Sequence, residues 1–248
     1  MSIRTLYLAW RDKRMSGKWF PVGRLDADID RPLYRFRYIR GAKRAQAEAG
    51  FPELLEFPNL EKRYDSPRLF PLFQNRVINR ARPDLADYLS YLDLGQGADP
   101  IEILSASGGS RVTDDYEVFP KLEKDEDGSF VCRFFLHGWR HVNESAQERI
   151  EHLESGEQLY VTLELTNPET GFAVQIQTEN YHMIGWAPRY IVDDLVKAMA
   201  ESPGNYRAKV VRVNPLPAPS KQRVLVEMSG RWDEHEPMSS EDFRPLVD

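Results

Sequence analysis

Residues 159–176 read LYVTLELTNPETGFAVQI. Apolar and polar residues alternate on both sides of an Asn-Pro turn, and a Gly follows that turn. Alternation with a period of two is typical of a strand with one buried face, and Asn-Pro favours a turn. The stretch therefore predicts a β-hairpin, with Asn167, Glu169 and Thr170 at its turn.

The segments on both sides of this hairpin predict a small β domain. FVCRFFLHGW, HMIGWAP, YRAKVVRVN and QRVLVEMSGRW have the pattern of strands, and two stretches have that of helices: NESAQERIEHLESG and RYIVDDLVKAMAES. The order from residue 130 to 232 is β-α-β-β-β-α-β-β. This order predicts a small twisted sheet or a partly open barrel with two covering helices.

The remainder of the chain predicts a separate domain, a linker and a tail. Residues 1–120 mix strand patterns with helix patterns, so a mixed α+β domain is expected and the whole chain is assigned to the α+β class. Residues 121–129, KLEKDEDGS, are charged and lack apolar periodicity, which indicates a linker or a long hairpin tip. Residues 233–248 are acidic and predict a mostly disordered tail, with Phe243 as its candidate for local docking.

Composition predicts a soluble globular protein. The chain has 248 residues, 41% of them hydrophobic, and no apolar run is long enough to cross a bilayer. The N-terminus lacks a signal-peptide pattern, so we expect a cytoplasmic protein without a membrane partner. Cys132 is the only cysteine, which excludes an intramolecular disulfide and predicts a buried apolar residue.

The charge is unevenly distributed although its total is −6. Residues 1–92 carry 18 Lys+Arg against 11 Asp+Glu, whereas residues 93–129 carry 3 against 10 and residues 233–248 carry 1 against 6. The basic part, including the stretch from Arg31 to Arg44, is either a surface for a polyanion or a solvated surface with internal ion pairs.

Catalytic and metal-binding patterns are weak. His137 and His141 are four apart, but they span a Gly and lack the Glu of a zinc protease helix. SASGGSR, residues 105–111, lacks the Lys-Ser/Thr ending of a phosphate-binding loop and is interpreted as a turn. We therefore predict a binding protein that is not an enzyme, with no catalytic residues, no metal and no cofactor.

FFLHGWRHV, LYVTLELTNPETGFAVQI and HMIGWAPRYIVDDL, in this order and spacing, resemble the HIRAN domain. The resemblance covers residues 130 to about 213, within a domain that we place at 130–232. It implies a modified oligonucleotide-binding barrel that binds single-stranded DNA or DNA ends. Its motif positions fall on the following residues: Trp139, Arg140, His141, Thr166, Asn167, Thr170, Trp186 and Arg189.

One departure from the family pattern bears on recognition of a DNA end. The Tyr-Asp pair, which in the family holds the terminal sugar and stacks on the end base, falls on Glu169 and Thr170 here. Losing the aromatic ring removes a stacking surface of roughly 1–3 kcal/mol, and Glu169 brings an anion towards phosphates. Trp186 and Arg189 do suit nucleic acid, because an indole can stack on any base and a guanidinium favours a phosphate.

Each of these residues also has a purely structural interpretation. Trp139 and Trp186 are either core residues of a small barrel or half-exposed walls of a groove. Arg189 is either a surface charge or a phosphate contact, and Asn167 suffices to initiate a turn without binding anything.

Residues 1–120 resemble, more faintly, the first subdomain of HipA-type toxin kinases. WFPVGRLDAD, LYRFRYI, RLFPLFQNRVINRARPDL and ILSASGGSRVTDDYEVFP follow the order of that subdomain. No kinase domain follows, so the resemblance implies a regulatory subunit that binds a kinase or nuclease partner. DNA binding in bacterial repair or defence is our first hypothesis, and this interaction subunit is the alternative.

Overall fold

A computed structural model describes residues 3–13, 17–168 and 171–248, and the chain forms two compact units. The first unit comprises Met1–Leu89, Gly95–Lys121 and Met238–Asp248, and the second comprises Ser90–Leu94 and Leu122–Pro237. Each unit contains one antiparallel sheet together with helices. The predicted α+β class is confirmed.

The first unit is built on a five-stranded sheet with the order β4-β3-β2-β1-β5. The strands are β1 (Ile3–Arg11), β2 (Trp19–Asp28), β3 (Leu33–Tyr38), β4 (Tyr64–Ser66) and β5 (Tyr116–Pro120). The helices that precede β5 in the chain are α1 (Arg40–Ala49), α2 (Pro71–Gln74), α3 (Leu85–Tyr91) and α4 (Pro100–Ser107).

Aromatic side chains fill the core of this unit. The rings of Phe36 and Phe57 stack with centroids 4.0 Å apart, and both side chains are fully buried. The hydroxyl of buried Tyr38 donates to the Phe57 carbonyl and accepts from the Leu54 amide, both at 2.8 Å. The Tyr38 hydroxyl keeps its hydrogen bonds although it is buried. The side chain can therefore stabilise the core without leaving a polar group unpaired.

The turn at residues 105–111 is the end of a helix. Asp99 caps α4 by accepting from the amide of Glu102, whose side chain in turn accepts from the amide of Asp99. Gly108 ends the helix with φ of 72°, a left-handed conformation that favours glycine. The interpretation as a turn, without a phosphate-binding role, agrees with this geometry.

The acidic tail is ordered, in contrast to what its composition suggested. The Phe243 ring meets the Tyr7 ring edge-on at 4.8 Å, and the Leu246 amide donates to the Tyr38 carbonyl at 3.0 Å. Glu241 and Asp242 pair with two arginines of α1, Arg40 and Arg44. Burial of an aromatic ring and complementary charge together fix a segment that has few apolar residues.

The second unit contains the predicted order of elements. They are β6 (Ser129–Phe135), α5 (Glu144–Glu151), β7 (Gln158–Asn167), β8 (Gly171–Thr178), β9 (Met183–Trp186), α6 (Val192–Glu201), β10 (Arg207–Val213) and β11 (Val224–Arg231). The sheet has the order β6-β11-β10-β7-β8-β9, and all of its pairs are antiparallel. The hairpin predicted from LYVTLELTNPETGFAVQI is β7–β8.

The two edges of this sheet meet at one β-bridge, which closes it into a barrel-like ring. The amide of His137, just after β6, donates to the Trp186 carbonyl at 2.9 Å, and the Trp186 amide donates back at 3.0 Å. Two glycines allow the backbones at His137 and Trp186 to come this close. A Cβ on Gly185 would lie 2.7 Å from the His137 carbonyl oxygen, and one on Gly138 would lie 2.5 Å from the Trp186 ring.

A buried tryptophan stabilises the interior of the second unit. Trp232 is fully buried, stacks on Phe130 at 4.0 Å, and donates its indole N–H to the Asp194 carbonyl of α6 at 2.8 Å. Cys132 is also buried, as expected, and burial raises the pKa of its thiol to about 12. This thiol therefore stays protonated at neutral pH.

Candidate nucleic-acid interface

Trp186 is held at the end of β9 by contacts on two sides. Its ring lies against Gly138, and its indole Nε1–H donates to Glu164 Oε2 at 2.8 Å. The side chain remains half-buried. Part of the indole is therefore available to a ligand, while its orientation is fixed by a bridge, a contact and a hydrogen bond.

Glu164 on β7 joins two of the residues singled out from the sequence. Its Oε2 accepts from Trp186 and also from Asn167 Nδ2, the latter at 3.0 Å. Sequence reasoning missed Glu164, although the alternation in LYVTLELTN was sufficient to place it on one face with Thr162. What the alternation could not supply was the closure of the sheet, which brings Trp186 within reach of β7.

The Glu164 carboxylate is stabilised as an anion. Hydrogen bonds from Asn167, then from Trp186, hold the pKa of this carboxyl below its ordinary value of 4.5. A negative charge therefore lies at the centre of the candidate site throughout the neutral range. It opposes the approach of a phosphate, whereas the neutral edge or face of a base is unaffected.

Arg140 and His141 lie on a short 3-10 turn, residues Trp139–His141, that begins at Gly138. Gly138 adopts φ of 70°, and the His141 amide donates to its carbonyl at 2.8 Å. Both side chains are exposed, and no carboxylate pairs with Arg140 in the part of the chain that the structure describes. The turn thus places a free cation two residues from the glycine that contacts Trp186.

Trp139 forms its hydrogen bond with a different part of the second unit from Trp186. Its indole N–H donates to the Ser220 carbonyl at 2.8 Å, and Arg223 Cζ lies 6.0 Å from its ring centroid. Arg223 is itself buried and pairs with Glu151. The two tryptophans are half-buried, but they bond to different partners, so Trp139 does not join the group formed by Trp186, Glu164 and Asn167.

Two of the predicted hairpin-turn residues, Thr166 and Asn167, lie within the described part of the chain. Asn167 is half-buried and bonded to Glu164, as described, and Thr166 is exposed at the end of β7. Thr170 and the neighbouring Glu169 lie outside the described residues. A register shift between Glu164 and Asn167 bends this end of the hairpin.

Arg189 begins a short 3-10 turn that leads directly into α6. Its side chain is half-buried. The expectation of a phosphate at the start of α6 is weakened, because Asp193 and Asp194 occupy the first helical turn and already complement the helix dipole. Asp194 is buried and pairs with His235 at 2.7 Å.

Polar side chains cover the exposed face of the hairpin beside Trp186. We call this surface the outer face; its residues are Tyr160, Thr162, Glu164, Gln175, Gln177 and Trp186. The register supports this grouping, because Thr162 opposes Gln175 and Gln175 opposes Trp186. Gln177 Nε2 donates to Thr162 Oγ1 at 3.1 Å. These side chains are mostly half-exposed, uncharged and able to exchange hydrogen bonds with a base.

The basic stretch from Arg31 to Arg44 is largely compensated within its own unit. Arg35 pairs with Asp65 and Arg37 with Asp26, while Arg40 and Arg44 pair with the tail. Lys43 pairs with Glu61 at 2.9 Å. These contacts fit the interpretation as a surface with internal ion pairs better than a continuous surface for a polyanion.

The described residues contain neither a metal-binding cluster nor a membrane-spanning helix. No group of three or more His, Cys, Asp or Glu side chains is arranged to hold a metal ion in residues 3–13, 17–168 and 171–248. Over the same residues, every helix is too short or too polar to span a membrane.

Comparison with known proteins found one family model that matches most of the second unit. Residues 129–232 match the family model of the HIRAN domain, which confirms the resemblance seen in the sequence. This match implies nucleic-acid binding at the level of the family. A search of curated protein sequences found no match.

Two solved structures are similar to this part of the chain. A protein from Lactobacillus plantarum matches with 16% identity and a TM-score of 0.34, over 43% of this chain and all of the other. The HIRAN domain of human HLTF matches with 16% identity and a TM-score of 0.29, over 44% of this chain and 84% of the other. The resemblance of residues 1–120 to HipA-type kinases stays a prediction.

Proposed function

We propose that residues 129–232, which match the HIRAN domain, bind single-stranded DNA through Trp186, Arg140 and the outer face. The observation that carries this proposal is the contact between Gly138 and Trp186. It fixes a half-exposed indole beside a turn that carries an unpaired guanidinium. An indole that stacks on a base and a guanidinium that binds a phosphate are complementary parts of a single-strand site.

The position of Glu164 supports a proposal for which part of the DNA lies at this site. Its carboxylate lies between Trp186 and Asn167, where it repels a phosphate and accepts hydrogen bonds from donors. A base or a sugar hydroxyl suits this position better than a backbone phosphate. We therefore assign the phosphate contact to Arg140, and we place a base against Trp186.

The wider setting of the protein belongs to the same proposal. We place it in the cytoplasm, as a non-catalytic module of bacterial DNA repair or defence. It needs no cofactor for binding, because base stacking and phosphate contacts are sufficient for single-strand affinity. The proposal favours a continuous single strand over a free DNA end, since Glu169 and Thr170 stand where the family has its Tyr-Asp pair.

The alternative, a subunit that binds a kinase or nuclease partner, is supported by one structural feature. Leu165 and Phe172 are 60% and 57% exposed at the end of the β7–β8 hairpin. Adjacent apolar side chains at a hairpin tip are suited to a protein contact. They lie in the second unit, however, whereas the resemblance to HipA-type kinases concerns residues 1–120.

We expect labelled single-stranded DNA and 3′-tailed duplex to bind more tightly than flush duplex in a fluorescence anisotropy titration. Arg140→Gln should weaken the binding of single strands and reduce the slope of log K against log salt by about 0.7, because one phosphate contact is lost. Lys43→Gln is the matched control, since Lys43 lies in the first unit and already pairs with Glu61. Equal and negligible binding to all three DNAs would overturn the proposed function.

Substitution of Glu164 tests the role of the central carboxylate. Glu164→Gln should raise single-strand affinity about two- to fivefold at low salt, because it removes an anion close to the DNA. Glu148→Gln, an exposed position on α5, is the control for the general effect of one lost negative charge. Equal changes in both variants would mean that Glu164 is remote from the bound strand.

The same variant tests the pH dependence of stability. The folded-state pKa of Glu164 is lowered, so its stabilising contribution is complete above the ordinary value of 4.5 and is lost as the pH falls through the lowered value. Wild type should therefore lose a small stability advantage over Glu164→Gln on acidification below about pH 4.5. Thermal unfolding of both proteins at neutral and acidic pH measures this difference, and a pH-independent difference would contradict it.

A further inference from the structure

The far end of the outer face carries a pair of exposed tyrosines. Tyr160, near the start of β7, and Tyr181, in the turn between β8 and β9, have ring centroids 5.8 Å apart with an interplanar angle of 33°. The two residues are 45% and 75% exposed. The two rings lie beside each other, and part of each side chain is accessible to a ligand.

The backbone of Tyr181 is in a conformation that its side chain disfavours. Its φ is 64°, in the left-handed region where Gly and Asn are preferred and bulky residues are outliers. The turn itself is held by other groups: the Tyr181 amide donates to the Thr178 carbonyl at 2.9 Å, and the His182 amide donates to Thr178 Oγ1 at 3.2 Å. The side chain at this position is 75% exposed, so the strained backbone is not offset by burial of the ring.

A cation lies beside this pair. Gln158 opposes Lys209 and Leu159 opposes Ala208, so continuation of the antiparallel register places Arg207 opposite Tyr160 on the same face. Arg207 is exposed and donates to two backbone carbonyls, those of Gly204 and Tyr206. Among the described residues no carboxylate pairs with it, so its charge is available to a phosphate.

The outer face connects the tyrosine pair to Trp186. Tyr160 opposes Gln177 and Trp186 opposes Gln175, so the two aromatic sites are two residues apart along β8 and two strands apart across the sheet. Ideal strand geometry then separates them by about 12 Å. Stacked nucleotides of one strand are about 3.4 Å apart, so this distance corresponds to roughly three or four nucleotides.

We propose that Tyr160, Tyr181 and Arg207 form a second contact site for single-stranded DNA, which extends the strand bound at Trp186 along the outer face. This inference rests on the proposed function and adds a length requirement to it. A base stacks on the tyrosine pair, Arg207 binds a phosphate, and Gln175, Gln177 and Thr162 line the path between the two sites. The protein consequently prefers a continuous single strand to a short overhang.

The test uses the full chain and oligo-dT of about 12 nucleotides, with an oligonucleotide of about 4 nucleotides as a comparison. The variant is Tyr160→Thr with Tyr181→Asn, because Thr is favoured in strands and Asn tolerates the left-handed conformation. We expect its affinity for the longer oligonucleotide to fall about tenfold, which corresponds to the stacking of one base, without a lower melting temperature. Tyr160→Phe with Tyr181→Phe should retain wild-type affinity.

Phe172→Thr is the matched control, because Phe172 is similarly exposed but lies on the opposite face of the hairpin by the alternation of β8. Wild-type affinity of the Thr/Asn variant for the longer oligonucleotide would overturn the second site and leave the proposed function intact. An equal loss for both oligonucleotides would also overturn it, because the variant would then have disturbed the site at Trp186. If wild type binds neither oligonucleotide, the proposed function fails and the second site fails with it.

Discussion

Gly138→Ala is expected to destabilise the second unit by about 2–5 kcal/mol. A non-glycine residue at φ of 70° costs about 1–2 kcal/mol, and forcing a methyl group into a packed position costs about 1–3 kcal/mol more. The added Cβ would lie 2.5 Å from the Trp186 ring, so that ring must move. Urea unfolding followed through the indole N–H signals of Trp186 and Trp232 measures the effect on this unit.

Gly156→Ala separates the backbone cost of a positive φ from the cost of the clash with the Trp186 ring. Gly156 also has a positive φ, 88°, but a Cβ there would meet no atom within 4 Å. It should therefore show only the backbone cost, about 1–2 kcal/mol. If the two variants are equally destabilised, the Trp186 ring does not pack on Gly138 and the closure of the sheet is not as described.

Trp186→Ala is expected to weaken single-strand binding by roughly 1–3 kcal/mol, or about thirtyfold at the centre of that range. The physical reason is the loss of the ring on which a base stacks. Trp186→Phe loses the hydrogen bond to Glu164 but keeps an aromatic face. Because stacking needs only that face, this variant should retain most of the affinity. Anisotropy titrations of wild type and both variants at one salt concentration give the comparison.

The stability of these variants decides how the result is interpreted. Trp186 is half-buried, so its removal also leaves part of Gly138 and Glu164 without a contact. Binding should therefore be measured well below the melting temperature of each variant. If Trp186→Ala binds as tightly as wild type under those conditions, the base does not stack on this indole.

Local patterns in the sequence were sufficient to predict the helices and strands of the second unit and their order. The alternation in LYVTLELTN and FAVQIQ predicted β7 and β8. The helix pattern of NESAQERIEHLESG predicted α5, whose cap is Asn143, with a side chain that accepts from the Ala146 amide at 2.8 Å. Strand period, caps and turn residues are local properties, so a single sequence displays them. The order of elements followed from these signals.

Contacts between distant segments could not be predicted in this way. The ring contact of Phe243 depends on Tyr7, and the hydrogen bond of Trp186 depends on Glu164 across an intervening strand. In both cases the partner residue is distant in the sequence and comes close only when the chain folds. Such a contact produces no local sequence pattern. The tail was therefore expected to be disordered, and the carboxylate at the centre of the candidate site was missed.

The central claim is that single-stranded DNA binds at Trp186 on the outer face, and the indole N–H signals in a 15N–1H spectrum test it most directly. The chain has five tryptophans, and each indole gives one signal. On addition of saturating oligo-dT, the account predicts a large shift of the Trp186 signal and none for Trp232, which is fully buried. An unchanged Trp186 signal at saturation, or shifts confined to Trp10 and Trp19, would contradict it.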